Sequence, residues 1–160
     1  AAGQITSLAA DDDIYAGTTE SVLSLSKHTG RQLWRTALDA RVTDIAVGDG
    51  TVYAATPDGI VSVPDGDGDA RWRADAPGRT PRVSLGSALV ASGRDGIRAL
   101  DPETGDERGR DETSSGASAV AVAHGRVYQT MEAAVRALDE GTGEQEWRTL
   151  VDATTDITVS

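Results

Sequence analysis

Apolar and polar residues alternate in twos over short stretches of this chain, and the alternation breaks at Gly, Asp and Pro. That rhythm predicts short β-strands joined by tight turns. Residues 41–78 show it most clearly. A first strand runs from Val42 to Val47 and Gly48-Asp49-Gly50 turns the chain. A second runs from Thr51 to Ala55, followed by Pro57-Asp58-Gly59. A third, Ile60 to Val63, leads into the Asp65 to Gly68 turn, and a fourth, Ala70 to Ala74, ends at Asp75 to Gly78. No unit carries an apolar stripe of helical period bounded by caps, which excludes the helical repeat arrays of similar length.

The same unit recurs along the chain. Tyr15, Tyr53 and Tyr128 share one phase, with Val90 in the remaining place, at spacings of 38, 37 and 38. Gly30, Gly68, Gly105 and Gly143 repeat those spacings, and so do Trp34, Trp72, Gly109 and Trp147. Three registers that agree on one period define four repeats of four antiparallel strands. The expected fold class is therefore all-β: a β-propeller with four four-stranded blades in this chain, approximately 4–40, 41–78, 79–116 and 117–154. The Gly-His and Trp-Asp pairs of WD40 blades are missing from the sequence.

Two stretches carry a resemblance. Asp49-Gly-Thr-Val-Tyr-Ala-Ala-Thr-Pro-Asp-Gly-Ile-Val-Ser-Val and Asp95-Gly-Ile-Arg-Ala-Leu-Asp-Pro-Glu-Thr-Gly105 resemble the quinoprotein (PQQ-like) propeller repeat. The repeat's Trp-Arg ending recurs at Trp34-Arg35, Trp72-Arg73 and Trp147-Arg148. The likeness covers nearly the whole chain and speaks for the fold. It does not name an activity, because that fold serves dehydrogenases, assembly scaffolds and sensor domains.

Each repeated residue has a mechanical role to fill. Gly30, Gly68, Gly105 and Gly143 are expected to take positive φ in the turn between the third and fourth strands. The resemblance implies that Trp34, Trp72 and Trp147 dock against the neighbouring blade. The third repeat has Gly109 in place of Trp, so its docking is expected to be the weakest, and Gly109→Trp to raise the melting temperature.

Composition narrows the functional classes. Twenty-six acidic against 15 basic residues give a net charge of −11, and Lys27 is the single lysine beside 14 arginines. Phosphate backbones need a basic stripe, so a nucleic-acid partner is not expected. An Asp-rich, Lys-poor surface fits life in strong salt, where repulsion is screened within about 3 Å at 1 M; high-GC bacterial origin is the rival explanation. No apolar run approaches the roughly 18 residues of a membrane helix, and Ala1 to Thr6 does not read as a signal peptide. The lack of Cys excludes disulfides and thiolate metal sites.

Candidate chemistry is sparse, and no catalytic residue is assigned. Asp65, Asp67 and Asp69 alternate as at the start of a calcium loop, but Ala70 and Ala76 stand where such a loop needs Gly and Glu. These three aspartates are weak metal candidates and read better as a hydrated turn. Asp11-Asp12-Asp13, His28 and His124 likewise fall in turns. What the resemblance implies for an enzyme is a quinone-dependent alcohol or sugar dehydrogenase. Such an enzyme uses about eight blades, PQQ, calcium held by acidic and amide side chains, a catalytic Asp and commonly a pair of adjacent cysteines. This chain has no Cys and no Asn.

The favoured expectation is a non-catalytic module that binds a protein or peptide partner, needs no cofactor, and works outside the cytoplasm or at the cell surface. Its contact loops would be the turns between second and third strands: Thr18 to Glu20, Pro57 to Gly59, Arg94 to Gly96 and Met131 to Ala133. Thr155-Asp-Ile-Thr-Val-Ser160 repeats Thr43-Asp-Ile-Ala-Val-Gly48 and is expected to be an extra innermost strand. An unpaired strand leaves an open sheet edge. Further blades in a longer parent chain or a homodimer completing the ring would close it; a closed four-blade ring that leaves the tail elsewhere is the third arrangement.

Overall fold

The computed structural model describes residues 3–66, 68–112, 119–131 and 133–151. They form sixteen strands in four separate antiparallel sheets, each built from consecutive strands. The first blade holds β1 (Ile5–Ala10), β2 (Ile14–Thr18), β3 (Ser21–Leu25) and β4 (Gln32–Ala37). The second holds β5 (Asp44–Gly48), β6 (Thr51–Thr56), β7 (Gly59–Pro64) and β8 (Trp72–Ala74). The third holds β9 (Arg82–Leu85), β10 (Leu89–Gly93), β11 (Gly96–Leu100) and β12 (Glu107–Asp111). The fourth holds β13 (Ala119–Ala123), β14 (Arg126–Met131), β15 (Ala134–Asp139) and β16 (Gln145–Leu150). The first strands of successive blades lie beside one another, which makes the array a β-propeller. Residues 155–160 and Asp67 lie outside the described residues.

The second blade's outer strands begin later than the alternation alone suggests. Val42 and Thr43 stay extended but serve the crossover: the Val42 N–H donates to Thr18 O of the preceding blade at 2.9 Å. At Asp49-Gly50 and His124-Gly125 both residues have positive φ, giving the two-residue hairpin turn that matches strand twist. Residue types that tolerate the left-handed region therefore sit there, and His124 is one of them.

Period-2 alternation sorts each sheet's side chains between its two neighbours. On β6, Val52 and Ala54 pack back against the first blade with Tyr15, Val22 and Trp34. Tyr53 and Ala55 pack forward against Val83, Leu89 and Leu100 of the third. A smaller cluster of Val90, Ile97, Val127 and Leu138 joins the third and fourth blades. Among the described residues, no such cluster joins the fourth blade to the first. Ile5 and Leu8 on β1, and Trp147 and Leu150 on β16, are exposed.

Candidate functional site

The repeat phase seen in the sequence is a row across each sheet. In the first blade Ala9, Tyr15, Ser24 and Trp34 are successive ladder partners; in the second, Ala46, Tyr53, Ser62 and Trp72. Tyr and Trp are thus two strands apart with a small residue between them. Their rings meet over that residue at centroid distances of 6.1 Å (Tyr15–Trp34), 5.9 Å (Tyr53–Trp72) and 6.1 Å (Tyr128–Trp147). Separations and tilts of this kind suit aromatic quadrupoles.

The first two pairs point their polar atoms at the next blade. Tyr15 Oη and Trp34 Nε1 donate to the two carboxylate oxygens of Asp65, at 3.0 and 2.6 Å. Tyr53 Oη and Trp72 Nε1 donate to the Pro102 carbonyl, both at 3.1 Å. Asp65 and Pro102 stand at one repeat position, three residues before Gly68 and Gly105. Burial, reinforced by Asp65, drives the Tyr15 phenol far above its ordinary pKa, and burial also raises that of Tyr53. The Asp65 carboxylate is therefore taken up in holding two blades together. Asp69 has a partner of its own, and among the described residues no three His, Cys, Asp or Glu side chains are grouped to hold a metal.

Gly68 and Gly105 complete these junctions. Gly30, Gly68, Gly105 and Gly143 have φ of +69°, +75°, +79° and +74°. At Gly105 a Cβ would stand 2.6 Å from Trp72, so the ring lies directly on the turn. Asp101 and Asp139 brace two of the turns by accepting N–H bonds from the residues two and three ahead. Arg108 holds the Asp101 carboxyl below its usual range, and bonds from Thr142 do so for Asp139.

The third junction is built differently, and the expectation for Gly109 changes with it. The row there is Ser84, Val90, Ala99 and Gly109. The fourth blade's turn lies against the backbone: a Cβ on Gly109 would meet Thr142 O at 3.2 Å. An apolar crevice lined by Ile97, Ala99, Gly109, Val127 and Leu138 remains beside it, far smaller than an indole. Glu140, at the repeat position of Asp65 and Pro102, turns inward and accepts the Ala88 N–H at 2.5 Å. Nearby, buried Arg136 reaches Asp111 Oδ2 at 2.5 Å and Gln129 Oε1 at 2.7 Å. Polar contacts replace the aromatic pair.

The fourth blade's own pair has no following blade among the described residues. Trp147 is 41% exposed, against 8% for Trp34.

One rim carries the turns between second and third strands. Thr18 and Thr56, at one repeat phase and both buried, clip two of the turns. Thr18 Oγ1 accepts the Glu20 and Ser21 N–H groups, and Thr56 Oγ1 accepts that of Gly59. The Arg94 to Gly96 turn lies beneath the crossover at Pro77-Gly78. A Cβ on Gly93 would stand 1.9 Å from Pro77 O, so only Gly lets the crossover pass. The Met131 to Ala133 turn includes residue 132, which lies outside the described residues.

Beside these turns a polar cavity of about 580 Å³ is lined by residues including Thr6, Thr43, Ser92, Arg41, Arg82 and Arg94. Its walls are fixed from below. Thr43 Oγ1 donates to Pro81 O at 2.6 Å, and the Asp44 carboxylate accepts the Val83 N–H at 3.1 Å. Burial raises the Asp44 pKa, against the pull of that N–H, the Ile45 N–H and Arg82. Composition alone gave no sign of an arginine-lined cavity.

The family model described as outer membrane protein assembly factor BamB matches residues 2–95 and 93–160. The chain belongs to this family. BamB from Moraxella catarrhalis superposes with a TM-score of 0.80 at 18% identity, covering all of this chain and 57% of that one. The chain thus spans little more than half the length of that BamB. The computationally designed Ika4 protein gives 0.73 at 19% identity, over 88% of this chain and 94% of its own. The Neurospora crassa Pan2 WD40 domain gives 0.75 at 14% identity, over 94% of this chain and 51% of that domain. At such identities the structural likenesses establish the propeller fold. No curated protein matches the sequence.

Proposed function

We propose that this chain is a non-catalytic scaffold module of a BamB-type propeller, binding a protein or peptide partner at the rim formed by the second-to-third-strand turns. The carrying observation is the division of labour between sheet and rim. Strand side chains between blades are consumed by packing and by the Tyr–Trp latches, whereas the rim holds exposed polar groups around a large cavity. Family membership supports a place outside the cytoplasm, associated with an outer membrane or cell surface. The acidic composition supports a salt-rich setting.

A quinone-dependent dehydrogenase fragment is the competing reading. The residues described do not fit quinone and calcium: the metal candidate Asp65 spends both carboxylate oxygens on Tyr15 and Trp34, and the chain has no amide ligand of the Asn type. Incubation with pyrroloquinoline quinone and calcium, then gel filtration and a visible spectrum, separates the two. The scaffold reading predicts no co-eluting chromophore, and a bound chromophore overturns it.

The exposed Ile5, Leu8, Trp147 and Leu150 support completion of the ring by further blades or by a second copy. Light scattering on the purified chain decides for the copy if the mass is twice 16.6 kDa, and against it if the chain is a monodisperse monomer.

A further inference from the structure

Charge is distributed against the grain of the composition at one place. In a chain with a net charge of −11, the 580 Å³ rim cavity is lined by Arg41, Arg82 and Arg94 and, among the described residues, by no carboxylate. All three arginines are exposed. Of the other eleven arginines, six, from Arg35 to Arg136, make ion pairs within the chain. Among the described residues these three make none, although carboxylates outnumber basic groups. Asp44, which lies under Arg82, turns its carboxylate to the Val83 N–H.

The arginines are also held in place from behind. Arg41, on the crossover into β5, and Arg82, the first residue of β9, are linked through the Thr43–Pro81 hydrogen bond, and Arg94 opens the turn pinned by the Pro77 crossover, where the Asp95 N–H donates to Pro77 O at 3.2 Å. Guanidinium groups presented from a fixed backbone favour carboxylates, which they can bind through two parallel hydrogen bonds. Thr80 and Ser92 add hydroxyls able to meet a peptide backbone.

We infer that this cavity is a binding site for an acidic peptide segment of a partner protein, with Arg41, Arg82 and Arg94 taking its Asp or Glu side chains. The inference rests on the scaffold reading and narrows its partner. A nucleic acid fits less well: no aromatic residue lines the cavity to stack on bases, and the overall charge repels a long polyanion.

The test is a fluorescence-anisotropy titration of the full chain with a labelled poly-glutamate peptide at physiological ionic strength. Parallel arms use a poly-glutamine peptide, inorganic phosphate as competitor and single-stranded DNA. Saturable binding of poly-glutamate is expected, weakened at least about tenfold in the Arg82→Gln/Arg94→Gln variant, roughly 1.4 kcal/mol. Arg31→Gln and Arg148→Gln, which alter exposed arginines elsewhere, should leave it unchanged. Circular dichroism of each variant verifies the fold. Absence of saturable binding, equal loss in the control variants, equal affinity for poly-glutamine, full displacement by phosphate, or tighter binding of DNA would each overturn the inference. Such a failure leaves the scaffold reading intact, because that reading stands or falls on the chromophore experiment.

Discussion

Tyr53 and Trp72 lie two strands apart in one blade and donate to the same acceptor, the Pro102 carbonyl of the next blade, each at 3.1 Å. One blade earlier, Tyr15 and Trp34 do the same with the carboxylate of Asp65. The repeat therefore specifies more than a buried aromatic. It specifies a two-donor latch, closed by whatever acceptor stands three residues before the turn glycine.

A latch matters only where a neighbour closes it. Trp34 is 8% exposed and bonded, and Trp147 is 41% exposed with no following blade described. Trp34→Ala should cost about 3–5 kcal/mol, and Trp147→Ala about 1 kcal/mol or less in the chain alone. Urea denaturation of the two variants measures the difference, and equal costs would contradict the assignment of Trp147 to an open face.

At Gly109 the contacts argue for the opposite of what its place in the repeat suggests. The fourth blade's turn already fills the space above it, with Thr142 O 3.2 Å from a built Cβ. Forcing an indole into that junction should destabilise by about 1–3 kcal/mol through overpacking. A thermal melt of Gly109→Trp should show a lowered midpoint; a raised one would mean the junction opens more readily than its contacts imply.

The latch also predicts alkaline sensitivity. Burial and the bond to Asp65 raise the folded-state pKa of Tyr15 above its ordinary value of 10.0. The folded chain then holds a proton that the unfolded chain gives up, so this contribution is intact below that value and is lost as pH rises through the phenol range. The denaturation midpoint should fall above pH 10.0, and Tyr15→Phe, less stable at neutral pH, should fall less steeply. An identical slope in that variant would remove Tyr15 as the cause.

What the sequence revealed and what it hid have a common physical origin. Tyr, Trp and Gly repeat visibly because each must stand at one row of every sheet, or at one left-handed turn position. The acceptors are invisible for the converse reason. Pro102 contributes a backbone carbonyl, which any residue carries, and Asp65 looks like half of a calcium loop until Tyr15 and Trp34 are seen to claim it. Pro64 occupies the place where Asp101 and Asp139 brace their turns, and the next residue, Asp65, faces the first blade. The buried Asp111–Arg136–Gln129 group and the arginine-lined rim join residues from different blades or crossovers, and no local pattern brings those together.

The claim on which the rest depends is that the repeated aromatics lock the first blade to the second, and the second to the third, through a specific acceptor. A double-mutant cycle on Trp34→Phe and Asp65→Ala, followed by chemical denaturation, tests it most directly. A hydrogen bond to a charged acceptor predicts a coupling of about 1.5–3 kcal/mol. A coupling within about 0.3 kcal/mol of zero would mean that Trp34 merely packs and that the latch contributes nothing.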